Sequence, residues 1–351
     1  MRVQEATEMP IPVGVNVGQF FRGVPVRWDE RVREIEDLGF DGIWFAEAYG
    51  SDVFTPLAWC AARTTRVRLG TAVAQIPARS PAATAMAAAT LDHLSGGRVV
   101  LGLGASGPQV SEGWHGVAFP RPLARTREYV EVVRQVLARE APLTYDGEFH
   151  RLPLPSGTGL GKPLRSTLHH RRPDLPIQLG AEGPRNVALA AEIADGWHAM
   201  FFSPEADAFY RAALDAGFSR RPGGRPARFE VIATVPVVVD EDVERAADHV
   251  RPELALYIGG MGAREANFHH DVFTRLGYAD VAARVQEFYL RGEKQAAAAA
   301  IPTALVEEVA LVGPVGKIRE ELCRWESTVV DSLAVQGLPD DLALVARAVL
   351  G

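Results

Sequence analysis

Eight short runs of apolar and β-branched residues alternate along this chain with longer amphipathic stretches. Most of the short runs are continuously apolar, which is typical of parallel strands that are covered on both faces. In the stretches between them, apolar residues such as Trp28, Val32 and Ile35 recur at helical spacing. A strand followed by a helix eight times over predicts an α/β fold, a (β/α)8 TIM barrel with its site at the carboxyl ends of the strands. The predicted strands are Val13–Val17, Gly42–Glu47, Val67–Gln75, Arg98–Gly104, Pro176–Gly180, Gly196–Phe201, Phe229–Val239 and Ser332–Gln336.

The length of 351 residues suits one large barrel domain that spans 1–351. Two regions interrupt the strand–helix repeat, near 141–175 and 255–317. The first is rich in proline, glycine and basic residues and is too long for an ordinary connection, so we expect an excursion or a lid. The second carries several helices before the last strand.

The charge balance limits the partners that this chain would bind. It has 37 Lys and Arg against 44 Asp and Glu, a net charge of −7, which argues against nucleic acid or an anionic membrane surface. No apolar run reaches the length of about 18 residues that crosses a membrane, and residues 1–10 lack the apolar core of a signal peptide. Cys60 and Cys323 are interpreted as free thiols in a reducing compartment. We therefore expect a cytoplasmic protein without nucleic-acid or membrane partners.

The most distinctive segment, residues 99–117, is an apolar strand that enters a glycine-rich loop. Gly102, Gly104 and Gly107 match G-x-G-x-x-G, the dinucleotide fingerprint, which requires a helix to open inside it and an acid about 20 residues further on. The prolines and glycines that follow predict an irregular chain until about Leu123, and no strand ends in such an acid. We therefore reject a nicotinamide site and expect the loop to line a different ligand, because glycines allow close approach of the backbone.

In a barrel, the turns after strands two to five line one cavity. These turns are Glu47, Val73–Gln75, Ala105–Gln109 and Gly180–Asn186. In the last turn, Gly183 suits the N-cap of a helix and Pro184 its first position. The free N–H groups of that helix start, together with Arg185, predict a phosphate site. An ordinary junction between a strand and a helix is the alternative.

Five segments stand in series: Gly-Ile-Trp-Phe-Ala-Glu (42–47), Leu-Gly-Thr-Ala-Val (69–73), Ser-Gly-Gly-Arg-Val-Val-Leu-Gly-Leu-Gly (95–104), Gly-Ala-Glu-Gly-Pro (180–184) and Ala-Asp-Gly-Trp (194–197). In this order they resemble the bacterial luciferase-like flavin and deazaflavin oxidoreductases. Residues 105–116, followed by 122–129, are most similar to the coenzyme F420-dependent branch. The resemblance covers residues 11–201 well and 229–338 loosely. It implies a luciferase-like barrel enzyme that transfers a hydride between F420 and a small organic substrate.

The resemblance also implies which residues hold the cofactor. Glu47, which ends strand two, would hydrogen-bond the deazaflavin or its ribityl chain. Ala72 and Val73 match the place of a non-prolyl cis peptide that supports the back face of the ring. The other matched residues would line the cofactor (Gln75, Ala105, Ser106) or hold its phosphate (Glu182, Gly183, Arg185, Asn186).

This chain departs from the sugar-phosphate dehydrogenase branch of the family. That branch has a histidine after the strand-two acid and a glutamate at the end of the strand-four motif, where this chain has Ala48 and Gly107. Sugar-phosphate oxidation is therefore not expected. His115 is our candidate catalytic residue for proton delivery to the substrate, because an imidazole titrates near neutral pH. The alternative is a loop histidine that packs on Trp114 or bonds to the backbone.

Other hypotheses stay open. FMN is the alternative cofactor, in a monooxygenase of the same family that uses reduced flavin and O2. A cofactor-binding barrel without turnover is a further alternative, given the missing acid/base pair. The pairs His169-His170 and His269-His270 suggest a metal hydrolase, but adjacent histidines on an extended chain point to opposite faces, so we expect no metal site. The alanine-rich helices Val53–Ala62 and Ala82–Leu94 would support a homodimer.

Overall fold

The structure, a computed structural model, describes residues 11–21, 23–262 and 267–351; residues 1–10, on which the signal-peptide argument rests, lie outside this part. Eight parallel strands close into a barrel in chain order, and the first strand pairs with the eighth. The predicted (β/α)8 TIM barrel is confirmed, with strand ends that differ from the predicted ones by a few residues. The barrel strands are Val13–Gly18, Gly42–Phe45, Arg68–Thr71 with its continuation Ala74–Gln75, Val99–Gly104, Ile177–Gly180, Gly196–Met200, Glu230–Val235 and Ser332–Gln336.

Helices follow the strands and cover the outside of the barrel. None of those in the described part of the chain is long and apolar enough to cross a membrane. The helices are Trp28–Asp37, Phe54–Ala61, Pro81–Ser95, Pro108–Gly113, Pro122–Ala138, Pro184–Ile193, Asp207–Phe218, Val315–Glu326 and Leu342–Val349, with short 3-10 turns at Ile76–Ala78 and Pro204–Ala206.

The two interruptions of the barrel differ in content. In residues 139–176 the regular structure is a two-stranded hairpin, Tyr145–Asp146 with Arg151–Leu152. The second interruption, which we call the insertion, starts earlier than residue 255 and is framed by a parallel pair of short strands, Val237–Val239 and Leu311–Gly313. Its apolar side chains form a core of their own, which Phe201 joins from the end of the sixth strand. The insertion helices are Val243–Gly259, Phe268–Arg275, Ala279–Leu290, Lys294–Ala299 and Thr303–Val309.

Trp44 fills the middle of the barrel because glycines leave room for its indole. A Cβ on Gly14 would lie 2.7 Å from the indole nitrogen, and one on Gly70 would lie 1.9 Å from Cζ3. At the amino-terminal ends of the strands, Arg68 pairs with Glu230 at 2.7 Å. The Trp44 indole and the Arg68–Glu230 pair fill the middle and the amino-terminal end of the barrel. The carboxyl end is therefore the place for a ligand.

Local signals set two helix ends as the sequence predicted. Gly39 follows the helix Trp28–Asp37 and has a φ of 94°, which glycine adopts readily at the end of a helix. Gly183 is the N-cap of the helix Pro184–Ile193, with Pro184 in the first turn. These features depend on a few neighbouring residues, which is why the sequence alone predicted them.

The prediction of an irregular chain from Gly107 to about Leu123 is wrong for residues 108–113 and correct for residues 114–121. Gly107 precedes a six-residue helix, Pro108–Gly113, whose proline occupies a position where a missing N–H has no effect. The topology of the sheet nevertheless excludes a nicotinamide site of this kind. The dinucleotide fingerprint works at the switch point of an open, doubly wound sheet, whereas the strand Val99–Gly104 lies inside a closed barrel.

Candidate functional site

The carboxyl ends of the eight barrel strands form one edge, which we call the mouth. The turns that the sequence predicted as a site follow the second to fifth strands and therefore lie on one half of this edge. The insertion lies between the seventh and eighth strands in the chain; it contacts the last residue of the eighth strand and also reaches Glu182 after the fifth strand. The last strand residues at the mouth are Gly18, Phe45, Gln75, Gly104, Gly180, Met200, Val235 and Gln336.

Glu47 ties the turn after the second strand to the turn after the third. Its carboxylate accepts hydrogen bonds from the Arg79 guanidinium at 2.6 and 2.9 Å and from the backbone N–H of Gln75 at 2.8 Å. The Gln75 side chain donates in return to the Glu47 carbonyl at 2.9 Å. Only 6% of the Glu47 side chain is exposed, so its carboxylate positions the turn. Direct contact of Glu47 with a ring or ribityl chain stays a prediction.

The peptide bond between Ala72 and Val73 is cis, at the position that the family resemblance implies. The Val73 side chain packs over the ends of the fourth and fifth strands, because both strands end in glycine. A Cβ on Gly104 would lie 2.4 Å from Val73 Cγ2, and one on Gly180 would lie 3.0 Å from Val73 Cγ1. Val73 is partly exposed at the mouth and offers an apolar surface there.

His115 lies beside the same turn. Its Nε2 is 3.3 Å from Oε1 of Gln75, and its backbone N–H donates to the Val110 carbonyl at 3.1 Å. The side chain is partly exposed. His115 is therefore at the edge of the mouth, within reach of Gln75, and both its catalytic role and the cofactor-lining role of Gln75 stay predictions.

Ala105 and Ser106 follow the fourth strand directly and are partly exposed at the mouth. Ser106 has a φ of 65°, which is uncommon for a residue other than glycine. The predicted lining role of both residues is compatible with this position and is not tested by it.

The helix Pro184–Ile193 begins at the mouth, and no side chain of the described residues caps its N-terminus. A Cβ on Gly183 would have no neighbouring atom within 4 Å among the described residues, so the backbone is accessible here. Arg185 is exposed and Asn186 is half-buried. An uncapped helix start beside an arginine is an arrangement that binds phosphate groups.

Glu182 is buried and its carboxylate is engaged elsewhere. It lies 2.8 Å from Nδ1 of His269, and Arg275 donates to its backbone carbonyl at 3.2 Å. Because a carboxylate repels a phosphate, only the backbone of Glu182 remains available for the phosphate-binding role that was predicted.

His269 and His270 lie in the helix Phe268–Arg275, so the interpretation of this pair as an extended segment is wrong. His269 instead bonds to Glu182 at the end of the fifth strand. Within the ranges that the structure describes, no group of three or more His, Cys, Asp or Glu side chains is arranged to hold a metal ion.

The insertion covers the other half of the mouth with the helix Val243–Gly259. Glu253 on this helix accepts a 2.5 Å hydrogen bond from Nε2 of Gln336, the last residue of the eighth strand. One turn later, Tyr257 packs edge-on against Phe201, with 5.1 Å between the ring centroids. Burial raises the pKa of Glu253 above its ordinary value, although the bond from Gln336 lowers it.

The sequence did not indicate four residues that shape the mouth. Arg79 is 32 positions away from its partner Glu47, and only the fold brings them together. Gln336 ends the last predicted strand. Because residues at the carboxyl ends of barrel strands lie at the mouth, this position could have identified Gln336 as a candidate site residue. Glu253 and Tyr257 have the spacing of one helical turn, but nothing local shows which way their helix packs.

His198 on the sixth strand lies in the barrel interior and packs edge-on against Trp44, with 5.0 Å between the ring centroids. Both of its ring nitrogens are buried without a hydrogen-bond partner among the described residues. Burial lowers the pKa of His198 to about 3, so the imidazole is neutral at physiological pH. It belongs to the filled interior of the barrel and is not a candidate acid.

A groove of about 570 Å³ lies on the outer helical layer, around the helix Pro184–Ile193. Arg127 and Arg220 on its walls both pair with Glu192. The groove approaches the mouth only through Arg185 and contains none of the other predicted site residues. We therefore take the mouth as the candidate active site.

Comparison with known proteins agrees with this fold. Residues 22–332 match the model of the luciferase-like monooxygenase family. The chain is 51% identical over 332 residues to a Mycobacterium tuberculosis protein provisionally named a coenzyme F420-dependent oxidoreductase, covering 93% of this chain and 95% of that protein. It is 35% identical over 230 residues, 65% of each protein, to a 5,10-methylenetetrahydromethanopterin reductase of Archaeoglobus fulgidus.

A solved structure shares the fold at lower sequence identity. The coenzyme F420-dependent tetrahydromethanopterin reductase of Methanopyrus kandleri is 22% identical and superposes over 97% of both chains with a TM-score of 0.77. The family match over residues 22–332 and the 51% identity to the Mycobacterium tuberculosis protein show to which family this chain belongs. The chain belongs to the luciferase-like monooxygenase family, a family of oxidoreductases.

Proposed function

We propose that this protein is a coenzyme F420-dependent oxidoreductase that transfers a hydride between the deazaflavin and a small organic substrate. The observation that carries this proposal is the 51% identity, over 93% of the chain, to a protein provisionally named for that cofactor. Coverage of that extent leaves only a small part of the chain outside the match. The residues at the mouth supply independent support.

Residues at the mouth support a flat, phosphorylated cofactor. Val73 would offer an apolar surface to one face of a ring, and the glycines that end the fourth and fifth strands make room for the Val73 side chain. The uncapped helix start at Gly183, with Arg185 beside it, suits a phosphate group. Gln75 and Ser106 add polar groups on the same half of the mouth.

A bound deazaflavin supplies hydride chemistry that side chains do not have. The residues of this chain would bind the ring, orient it toward the substrate and exchange a proton with the substrate. Glu47 and Arg79 hold the turn that carries Gln75, and His115 is 3.3 Å from that glutamine. The insertion closes the opposite side of the mouth.

A binding experiment tests the cofactor, since FMN also combines a tricyclic ring with a phosphate. The purified protein is titrated with F420 and, separately, with FMN, while the fluorescence of each cofactor is followed. We expect quenching of F420 at micromolar concentration and weaker binding of FMN. Binding of FMN with none of F420 would overturn the proposal.

The variant Arg185→Ala tests the phosphate site. We expect F420 to bind about tenfold more weakly or worse, because a hydrogen bond to a charged group contributes roughly 1.5–3 kcal/mol. Arg211→Ala is the matched control, since Arg211 pairs with Asp207 on an outer helix. The affinity should be unchanged in the control; equal losses in both variants would remove the role of Arg185.

A further inference from the structure

We propose that Glu253 is a catalytic residue whose carboxyl group exchanges a proton with the oxygen of an uncharged carbonyl or alcohol substrate. This substrate would bind between the helix Val243–Gly259 and the mouth. The inference rests on the proposed function and names the substrate class of that site.

The position of Glu253 supports this role. Its Oε1 accepts the 2.5 Å hydrogen bond from Gln336, which pairs in register with Asn16 of the first strand. The carboxyl group therefore lies over the junction of the eighth and first strands. It is partly exposed, so both a substrate and solvent have access to it.

The side-chain oxygen of Gln336, beside Glu253, accepts no hydrogen bond from the described residues. Its Oε1 is buried and has no partner among the described residues, whereas its Nε2 is taken up by Glu253. Buried polar atoms are nearly always paired, and an orphaned one indicates a group that a ligand or water satisfies. A substrate hydroxyl can donate to this oxygen while it accepts a hydrogen bond from protonated Glu253.

Tyr257 connects this place to the predicted cofactor half of the mouth. Its ring packs against Phe201, which follows the sixth strand, and against His269, whose Nδ1 is bonded to Glu182 after the fifth strand. The face of the helix that carries Glu253 and Tyr257 thus spans the mouth. A substrate under it would lie between the insertion and the turn that carries Val73.

The charges at this place favour an uncharged substrate. Within the described ranges, no lysine or arginine bonds to Glu253 or Gln336, and Arg251 on the same helix is held by Glu244 and Asp248. Among the described residues, a phosphate or carboxylate would find no cation paired at this place, and an ionised Glu253 would repel it.

The protonated form of Glu253 can serve as a donor. Burial without a cationic partner raises the pKa of its carboxyl group. The other titratable groups that face this region are Tyr257 on the same helix, Glu182 with His269, and Tyr49. A protonated carboxyl donates a hydrogen bond to a carbonyl oxygen, which an ionised one cannot do.

The proposed reaction is the reduction of a carbonyl group by a hydride and a proton. Reduction of a carbonyl group adds a hydride, with two electrons, to carbon and a proton to oxygen. The hydride comes from reduced F420, which is oxidised, and the proton comes from Glu253, whose O–H bond breaks as the substrate O–H bond forms. Glu253 regains its proton from solvent. In alcohol oxidation both transfers reverse, and the carboxylate accepts the proton.

The test compares wild type with Glu253→Gln, which keeps the bond with Gln336 but has no acidic proton. Acetone, cyclohexanone and benzaldehyde are offered with reduced F420. We expect kcat to fall by roughly 10²-fold or more in the variant, the contribution typical of general acid catalysis, while KM and the Kd for F420 change little. Glu241→Gln, at an exposed position before the same helix, is the control and should behave as wild type.

Two further readouts separate catalysis from structure. The wild-type kcat for carbonyl reduction should fall as pH rises through the pKa of Glu253, and the variant should lack this fall. Infrared difference spectra, wild type minus Glu253→Gln, should show a carboxyl group that titrates above ordinary glutamate.

An unchanged kcat in the variant overturns the proposal. Failure of wild type to reduce any of the three compounds while it binds F420 overturns the substrate class alone; failure to bind F420 overturns the proposed function.

Discussion

At the scale of single residues, space decides as much as chemistry. Glycines at the strand ends make room for Val73, and glycines in the interior make room for Trp44. Gly102 lies against backbone, because a Cβ there would be 1.9 Å from the carbonyl oxygen of Thr71. The Thr71 hydroxyl in turn donates to the Gly102 carbonyl at 2.6 Å, which ties the third strand to the fourth.

Gly102→Ala should destabilise the protein by about 1–3 kcal/mol or more, as overpacking of a filled interior does. The added methyl group meets backbone, which cannot move aside as the end of a flexible side chain can. Gly316→Ala is the control, because a Cβ there has open space and lies in the helix Val315–Glu326. It should be neutral or stabilise by up to about 1 kcal/mol. Urea unfolding measures both; equal stability of Gly102→Ala and wild type would contradict the packing argument.

For single residues of the site, the sequence predicted some positions but not the contacts of their side chains. Gly183 and Pro184 were predicted as a helix start, because that preference is local. Glu47 was placed at the mouth correctly by strand order, but its partner Arg79 was not, because the pair depends on how two strands lie side by side. The chemical environment of a site residue is therefore less predictable than its position.

At the scale of elements, Glu36 joins the helix Trp28–Asp37 to the segment before the third strand. Its carboxylate accepts hydrogen bonds from the backbone N–H groups of Thr65, Arg66 and Val67 at 3.0, 2.7 and 3.0 Å. Burial acts to raise the pKa of Glu36, but these hydrogen bonds outweigh it and lower the pKa to about 2. One buried carboxylate thus joins the helix to the segment before the third strand.

Glu36→Gln should destabilise the protein at neutral pH by about 3 kcal/mol, since each pKa unit corresponds to about 1.36 kcal/mol. The pKa of Glu36 in the native state lies below its ordinary value of 4.5. Its stabilisation is therefore complete above that pH and is lost as pH falls toward 2. Urea unfolding across this range should show the deficit of the variant shrink with acidity. Asp37→Asn, at an exposed position, is the control and should stay within about 0.5 kcal/mol of wild type. A deficit that does not depend on pH would contradict the assignment.

At the scale of the whole molecule, two neighbouring helices leave apolar side chains exposed. Trp59 lies on the helix Phe54–Ala61, and Met86 and Leu94 lie two turns apart on the helix Pro81–Ser95. These are the helices whose small residues led to the expectation of a homodimer. We propose that this face pairs two copies of the chain, because exposed apolar side chains on neighbouring helices are typical of an interface.

Light scattering after size exclusion tests the homodimer. We expect a species of two chains, each of 38.0 kDa, for wild type. The double variant Met86→Glu with Leu94→Glu should shift it to one chain, since charges in an apolar interface lose their hydration. Leu160→Glu, at another exposed leucine, is the control and should leave the dimer intact. A wild-type protein that elutes as one chain would refute the proposal.

The sequence by itself determined the barrel, the place of the mouth and several helix ends, because continuous apolar runs, helical spacing and turn residues act through near neighbours. Only the tertiary structure decided which side chains meet at the mouth. Glu182 meets His269 across 87 positions, and Glu253 meets Gln336 across 83. Both contacts depend on how the insertion packs onto the barrel. That packing is the sum of many weak contacts between distant segments, and no local pattern encodes it.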